Sequence, residues 1–144
     1  MRKFLRDQFG QSMVEMALSL PIMVFLLLGG ADMARAFAIQ LAVQNGARAG
    51  AEAYAIDFTP TSAETILHAQ QEMNRTPGMD ASLATITVTR KQGDGITNCI
   101  ASPDILTPCF ATVRVQFTFR TIIAWPLIPN VYNFDRRTTM RTFV

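Results

Sequence analysis

From Met13 to Ala31 the chain is apolar almost without interruption, and Glu15 is the one charge in those 19 positions. As a helix this run is roughly 28 Å long, which matches a hydrocarbon core of about 30 Å. Apolar and small residues continue to Ile56, so the pattern predicts one long helix over 11–56. Pro21 lies inside it and predicts a kink, because it removes a backbone hydrogen bond. Beyond Asp32 the helix turns amphipathic. Ala34, Ala38, Ala42, Asn45, Ala49 and Ala53 recur at spacings of three and four, a ridge of small side chains that lets another element approach closely. Pro60 disfavours helix at Thr59, so the helix ends near Asp57.

A second helix is expected over 62–74. Thr61 is its cap, Glu64 completes a capping box, and Ile66, Leu67, Gln70 and Met73 give one apolar face. Thr76-Pro77-Gly78 ends it. Three strands follow. Residues 84–89 set Ala84, Ile86 and Val88 against three threonines. Residues 111–120 alternate strictly, with Ala111, Val113, Val115, Phe117 and Phe119 on one face, the mark of a half-buried antiparallel strand. Residues 138–144 are β-branched but of ambiguous facing. The fold class is α+β: a long helix whose outer half covers a small antiparallel sheet, with one short second helix. Left open, the phenylalanine-rich face would be too large an apolar patch.

Composition locates the asymmetry at the N-terminus. Hydrophobic residues make up 49% of the chain and charged residues 17%, more apolar than a typical soluble domain. Of the net charge of +2, all sits in 1–10, where Arg2, Lys3 and Arg6 face Asp7. The rest is neutral, which offers no electrostatic footprint for nucleic acid. A basic head before an apolar run belongs on the cytoplasmic side of a membrane. Cys99 and Cys109 are expected to form a disulfide if their half is exported, and two free thiols or an odd metal pair if it is cytosolic. Such a crosslink closes a short loop and stabilises by about 2.5–3 kcal/mol. Two cysteines and one histidine do not make a four-ligand zinc site. No phosphate loop, nucleophile motif or metal cluster is present in the sequence, so no catalytic, cofactor-binding or metal residue is assigned.

Three readings compete for the N-terminus. A secretory signal peptide would be cleaved near Ala34-Arg35-Ala36, but the apolar run is long for that class and Glu15 interrupts its start. An uncleaved anchor needs no special residue. A prepilin leader would place a glycine just before the apolar helix and a carboxylate soon after, as Gly10 and Glu15 stand here.

The stretch FGQSMVEMALSLPIMVFLLLGGADMARAF, followed by AVQNGARAGA, resembles the N-terminal signature of TadE-like pilus assembly proteins. The matching features are Gly10, Val14-Glu15, Ala17-Leu18, Pro21 and the Asn45–Ala51 segment. The alternating strand followed by Trp125-Pro126-Leu127-Ile128-Pro129 and a last short strand is also similar. The related major Flp-type pilins have Tyr after the Glu, and this chain has Met16, which speaks for a minor pilin or pseudopilin. The resemblance implies a pilin-like fold: a prepilin-type leader over 1–10, a transmembrane half-helix over 11–31 and a periplasmic domain over 32–144. It implies cleavage between Gly10 and Gln11 by a prepilin peptidase, residence in the inner membrane as a single pass with the N-terminus cytoplasmic, and partnership with other pilin subunits and the assembly platform.

A carboxylate at the edge of hydrocarbon is costly unless paired. Cleavage after Gly10 would give Gln11 an α-amino group, a counter-charge for Glu15, in a filament supplied by a neighbouring subunit. The alternative is that Glu15 snorkels to headgroups. Asp32 with Arg35, and Arg48 with Glu52, are read as solvated ion pairs. His68, between Glu64 and Glu72, is read as part of a solvated face. Gly29-Gly30 is at most a helix-packing feature. The apolar segment Ile122, Ile123, Trp125, Leu127 and Ile128 either folds over the sheet edge or meets a membrane surface or a neighbouring subunit. Function is then read as a structural subunit for a Flp-type (tight adherence) pilus or related secretion apparatus. The alternatives are a membrane-tethered periplasmic binding or scaffold protein that does not polymerise and, weakest for want of a catalytic constellation, a secreted enzyme.

Overall fold

A computed structural model describes residues 2–99, 106–125 and 128–142, with backbone alone for 2–9. Pro103, Pro126, Leu127, Phe143, Val144 and the side chains of Arg2, Lys3, Arg6 and Asp7 lie outside the described residues. The elements are helix α1 (Arg2–Ala55), helix α2 (Ser62–Met73), a 3-10 turn (Ala81–Leu83), and strands β1 (Thr85–Gln92), β2 (Cys109–Arg120) and β3 (Val131–Arg141). The chain divides into two compact units, Met1–Arg35 and Ala36–Val144, and α1 supplies residues to both.

The helix begins nine residues earlier than the expected start at Gln11. Residues 2–9 contain no proline or glycine, and a single interior glycine at position 10 costs only about 1 kcal/mol. The helix also passes through Pro21. It ends where Asp57 takes a left-handed backbone (φ 60°). There the Phe58 N–H reaches back to the Ala53 carbonyl at 2.9 Å, closing a Schellman-type end.

In the second unit β2 is the central strand, antiparallel to β1 on one side and β3 on the other. Its inward residues Ala111, Val113, Val115, Phe117 and Phe119 are all buried, as the alternation requires. Val113, Val115, Phe117 and Phe119 pack with Ile39, Ala42, Val43, Ala47 and Ala51 of α1 and Met73 of α2 in one core. Ala84, Ile86 and Val88 close it from β1, and Tyr132, Phe134 and Met140 from β3.

Four expectations need correction. The buried stripe of α1 is Ile39, Ala42, Val43, Gly46, Ala47, Gly50 and Ala51, while Ala34 and Asn45 of the expected ridge are exposed. Glycine decides the facing: a Cβ on Gly46 would stand 2.4 Å from Met73 Cγ, and one on Gly50 would stand 3.2 Å from Ala69 Cβ. The helices meet at these two positions because there is no side chain there. The buried face of α2 is correspondingly Thr65, Ala69 and Met73, and Leu67 is 55% exposed. The capping box on Thr61 and Glu64 forms as expected. Strand β1 runs on to Gln92, because Arg90, Lys91 and Gln92 pair with Ala111, Phe110 and Cys109. Strand β3 starts at Val131, well before position 138, and its middle holds Asp135-Arg136-Arg137. At an edge strand those charges are tolerated and alternate between faces.

Candidate assembly site

Gly10 and Gln11 occupy consecutive helical positions, and nothing lies within 4 Å of where a Gly10 Cβ would be. One turn on, the Gln11 side-chain amide donates to Glu15 Oε1 at 3.2 Å. This brings the two residues of the expected processing and assembly pair together on one helix face. Glu15 thus has a neutral amide partner. The Ser19 hydroxyl donates to the Met16 carbonyl at 3.2 Å, just before Pro21. From Met13 to Leu28 the large apolar side chains point outward, with Met13 at 76%, Leu26 at 71% and Leu27 at 72% exposure. By length and composition the helix from Gly10 onward is a candidate membrane span, and none of its most apolar window is buried by the protein.

Asp32 departs from the solvated reading. Its side chain is only 4% exposed and takes a hydrogen bond from Arg35 Nη1 at 3.1 Å. A carboxylate this buried requires such pairing. Arg48 and Glu52, by contrast, are exposed and form no ion pair with each other. His68 is half-buried, and its ring meets Phe58 edge-on with centroids 5.7 Å apart. That contact to a residue beyond the end of α1 is invisible to helical spacing.

In the second unit Cys99 and Cys109 are bonded, with Cα atoms 5.7 Å apart. The bond ties the first residue of β2 to the loop after β1, whose start is shaped by Asp94. That carboxylate accepts from the Thr97 hydroxyl and, at 2.9 Å each, from the Ile96 and Thr97 N–H groups. These bonds, the Thr97 hydroxyl first, hold it below the usual carboxylate range. Gly95 completes the turn at φ 72°, a conformation glycine adopts without strain. Asp80 is lowered likewise by the Ser82 hydroxyl and N–H.

Arg90, which spacing alone did not single out, fastens the far end of α1 to the sheet. Its Nη2 donates to the Tyr54 carbonyl at 2.9 Å, its guanidinium lies 4.4 Å from the Tyr54 ring centroid, and Asp57 stands 3.9 Å away. The legible signal was a charge on the inward side of a half-buried strand. The outer face of the sheet is polar. There Arg114 grips Asp135 through Nε and Nη2, and Gln116 adds a bond at 3.2 Å. The Arg114 hydrogen bonds keep the Asp135 carboxyl below its ordinary value.

Ile122, Ile123, Trp125 and Ile128 lie between β2 and β3, and the ends of this connection are joined by a Thr121 N–H to Asn130 carbonyl bond of 3.1 Å. No group of three or more potential metal ligands occurs among the described residues.

Residues 10–52 match the family model described as TadE-like protein. The match begins at Gly10, spans Glu15 and Pro21, and ends within α1. No curated protein and no solved structure matches the chain.

Proposed function

We propose, from the premise that residues 10–52 form a TadE-like segment of a Tad pilus-associated protein, that the chain is a minor pilin or pseudopilin. The role is structural and not catalytic. The helix from Gln11 to about Ala31 is stored in the inner membrane, the basic leader stays cytoplasmic, and the disulfide-bearing head is periplasmic. Prepilin peptidase removes residues 1–10. Assembly then exchanges lipid contacts along α1 for contacts with other pilin subunits on the assembly platform.

The observation that carries this reading is the pairing of Glu15 with Gln11 at 3.2 Å on an otherwise apolar, outward-facing helix. Only a weak amide bond occupies the carboxylate before cleavage, and a charge beside hydrocarbon gains most from a cationic partner. Cleavage after Gly10 converts Gln11 into that cation. The amine of a neighbouring subunit can then take the same carboxylate and set the stagger between chains. The intramembrane disposition is supported by the outward-facing apolar side chains, and the exported head by the disulfide.

Intact-mass measurement on membrane-extracted protein tests the proposal. Loss of 1–10 is expected, Gly10→Val should abolish that loss, and Glu15→Gln should preserve it while removing the chain from sheared filaments. A full-length chain with an unprocessed N-terminus would instead favour a membrane-tethered scaffold.

A further inference from the structure

The 36–144 unit is nearly neutral in total, with nine basic and eight acidic side chains, but its charges are unevenly placed. Alternation along the three paired strands sends one set of side chains to the core and the other to the opposite face of the sheet. On that outer face stand Arg120, then Arg114 beside Arg137, then Lys91 in line with Arg141. Asp135 is the one carboxylate among them, and Arg114 holds it. Five cations against one anion give the face a net charge of +4. Among the described residues none of Arg120, Arg137, Arg141 and Lys91 forms an ion pair. Strand β2 is central, yet Arg114, Gln116, Thr118 and Arg120 are exposed, so no described residue of the unit covers them.

The spacing of the cations narrows the class of anion. Six residues of β2 separate Arg120 from Arg114, about 20 Å. Four more lead to Phe110, between Lys91 and Arg141, about 13 Å further. Over that combined length duplex DNA presents about 20 negative charges, far more than this face can answer. A polymer with widely spaced carboxylates matches it better. A folded protein partner is disfavoured for another reason. Between its end rows, which hold Phe110 and Val131, the face has no aromatic or large aliphatic side chain to anchor a protein interface.

Between the cations the face offers neutral hydrogen-bonding groups. A groove of about 340 Å³ is lined by Thr85, Gln116, Thr118, Asn133 and Asp135, and Leu83 borders it at 70% exposure. The Thr118 hydroxyl donates to Asn133 Oδ1 at 2.9 Å, and the Gln116 amide donates to Asp135 Oδ2 at 3.2 Å. These bonds leave the Asn133 amide N–H groups as donors and the Gln116 carbonyl oxygen as an acceptor. Donors and acceptors side by side, next to one exposed aliphatic side chain, suit a sugar ring, whose hydroxyls do both and whose C–H face is apolar.

We propose that the outer face of the β1–β2–β3 sheet binds an acidic polysaccharide, with the arginines taking its carboxylates and the groove at Gln116 and Asn133 taking sugar hydroxyls. This rests on the reading that the head is exported, and the two are tested apart. The full-length chain in detergent is titrated at low salt with a labelled polygalacturonate oligosaccharide, with its methyl ester and with duplex DNA of equal length. Polygalacturonate should bind tightest, and esterification, which removes the charge alone, should weaken it at least about tenfold. Arg120→Gln with Arg137→Gln should weaken it at least about fivefold, and Arg120→Lys with Arg137→Lys should retain most of the binding. Arg48→Gln with Arg75→Gln removes the same charge from the helices and should leave affinity within about twofold. Gln116→Ala with Asn133→Ala should weaken polygalacturonate at least about threefold. All four positions on the sheet are exposed, and an unchanged unfolding midpoint confirms that each variant folds. Equal or tighter binding of the ester or of DNA overturns the inference, as does equal weakening by the helix-side pair. So does a purified chain that binds no polygalacturonate. A head protected from added protease in spheroplasts overturns the export reading instead.

Discussion

The two stretches of α1 obey opposite rules. From Met13 to Leu28 large side chains such as Leu26 and Leu27 point outward and are more than 70% exposed. From Ile39 to Ala55 the inward positions are mostly Ala, Val and Gly, and Ala47 and Ala51 have no exposed surface at all. In the first stretch bulk is the useful property, because every CH₂ facing lipid instead of water contributes about 0.8 kcal/mol. In the second stretch smallness is useful, because it lets α2 and β2 close on the helix backbone. One element thus serves two solvents, and a change of side-chain size has a different consequence in each.

The sharpest way to break this comparison is to make the first stretch unfit for lipid. Ile22→Arg combined with Leu26→Arg places two charges near the centre of the span, at about 2.5–3.5 kcal/mol each. We expect the chain to be lost from carbonate-washed membranes, whereas the same double substitution at exposed head positions should leave membrane retention unchanged. If the doubly charged helix is retained in full, lipid is not what its apolar face meets.

A smaller effect sharpens the contrast from the other side. Gly46→Ala puts a Cβ 2.4 Å from Met73 Cγ and 3.2 Å from the Ala69 carbonyl oxygen. Overpacking of this kind costs about 1–3 kcal/mol, and the better helix propensity of alanine returns about 1 kcal/mol. A net loss of about 1–2 kcal/mol in the denaturant unfolding of the head is expected. Gly30→Ala, where nothing lies within 4 Å, should not destabilise the isolated chain. If it nonetheless lowers incorporation into filaments, Gly30 lies at a seam between subunits.

How far the sequence could be read follows the same divide. The long apolar helical run, the capping box at Thr61 and Glu64 and the strict alternation of β2 are local patterns, and the structure reproduces all three. The facing of α1 was not local. Counting small residues gave Ala34, Ala38, Ala42, Asn45, Ala49 and Ala53, of which Ala42 and Ala53 are buried, whereas the closest approach is made at Gly46 and Gly50, whose partners Met73, Ala69 and Val113 are far along the chain. Strand β3 was cut short because Asp135-Arg136-Arg137 breaks its apolar pattern, yet Asp135 is held by Arg114 across the sheet. Gly10, Gln11 and Glu15 were singled out by their spacing ahead of an apolar run, and the structure places Gln11 and Glu15 one helical turn apart and hydrogen-bonded. Asp32 was misread because its burial depends on packing that an i,i+3 spacing does not reveal.

The smallest effect belongs to that cross-strand pair. Arg114 hydrogen bonds, with smaller contributions from Coulomb attraction and Gln116, stabilise the ionised form of Asp135 in the folded head. Its folded pKa is therefore below the unfolded one. The sign follows from linkage: the contribution is fully present above the ordinary aspartate value of about 3.9 and disappears as pH falls through the lowered one. Asp94 and Asp80 are depressed too and add to the same acid loss. Because all three carboxylates are exposed, the contribution is modest and weakened by salt. Asp135→Asn should leave the fold intact and flatten part of the stability decline between about pH 5 and 3, measured by thermal unfolding in low salt. The same substitution should not alter membrane retention, since Asp135 lies on the polar outer face of a sheet whose other face meets α1. A shift of the decline to higher pH would mean that the Asp135 pair opposes folding, contrary to the direction in which Arg114 moves it.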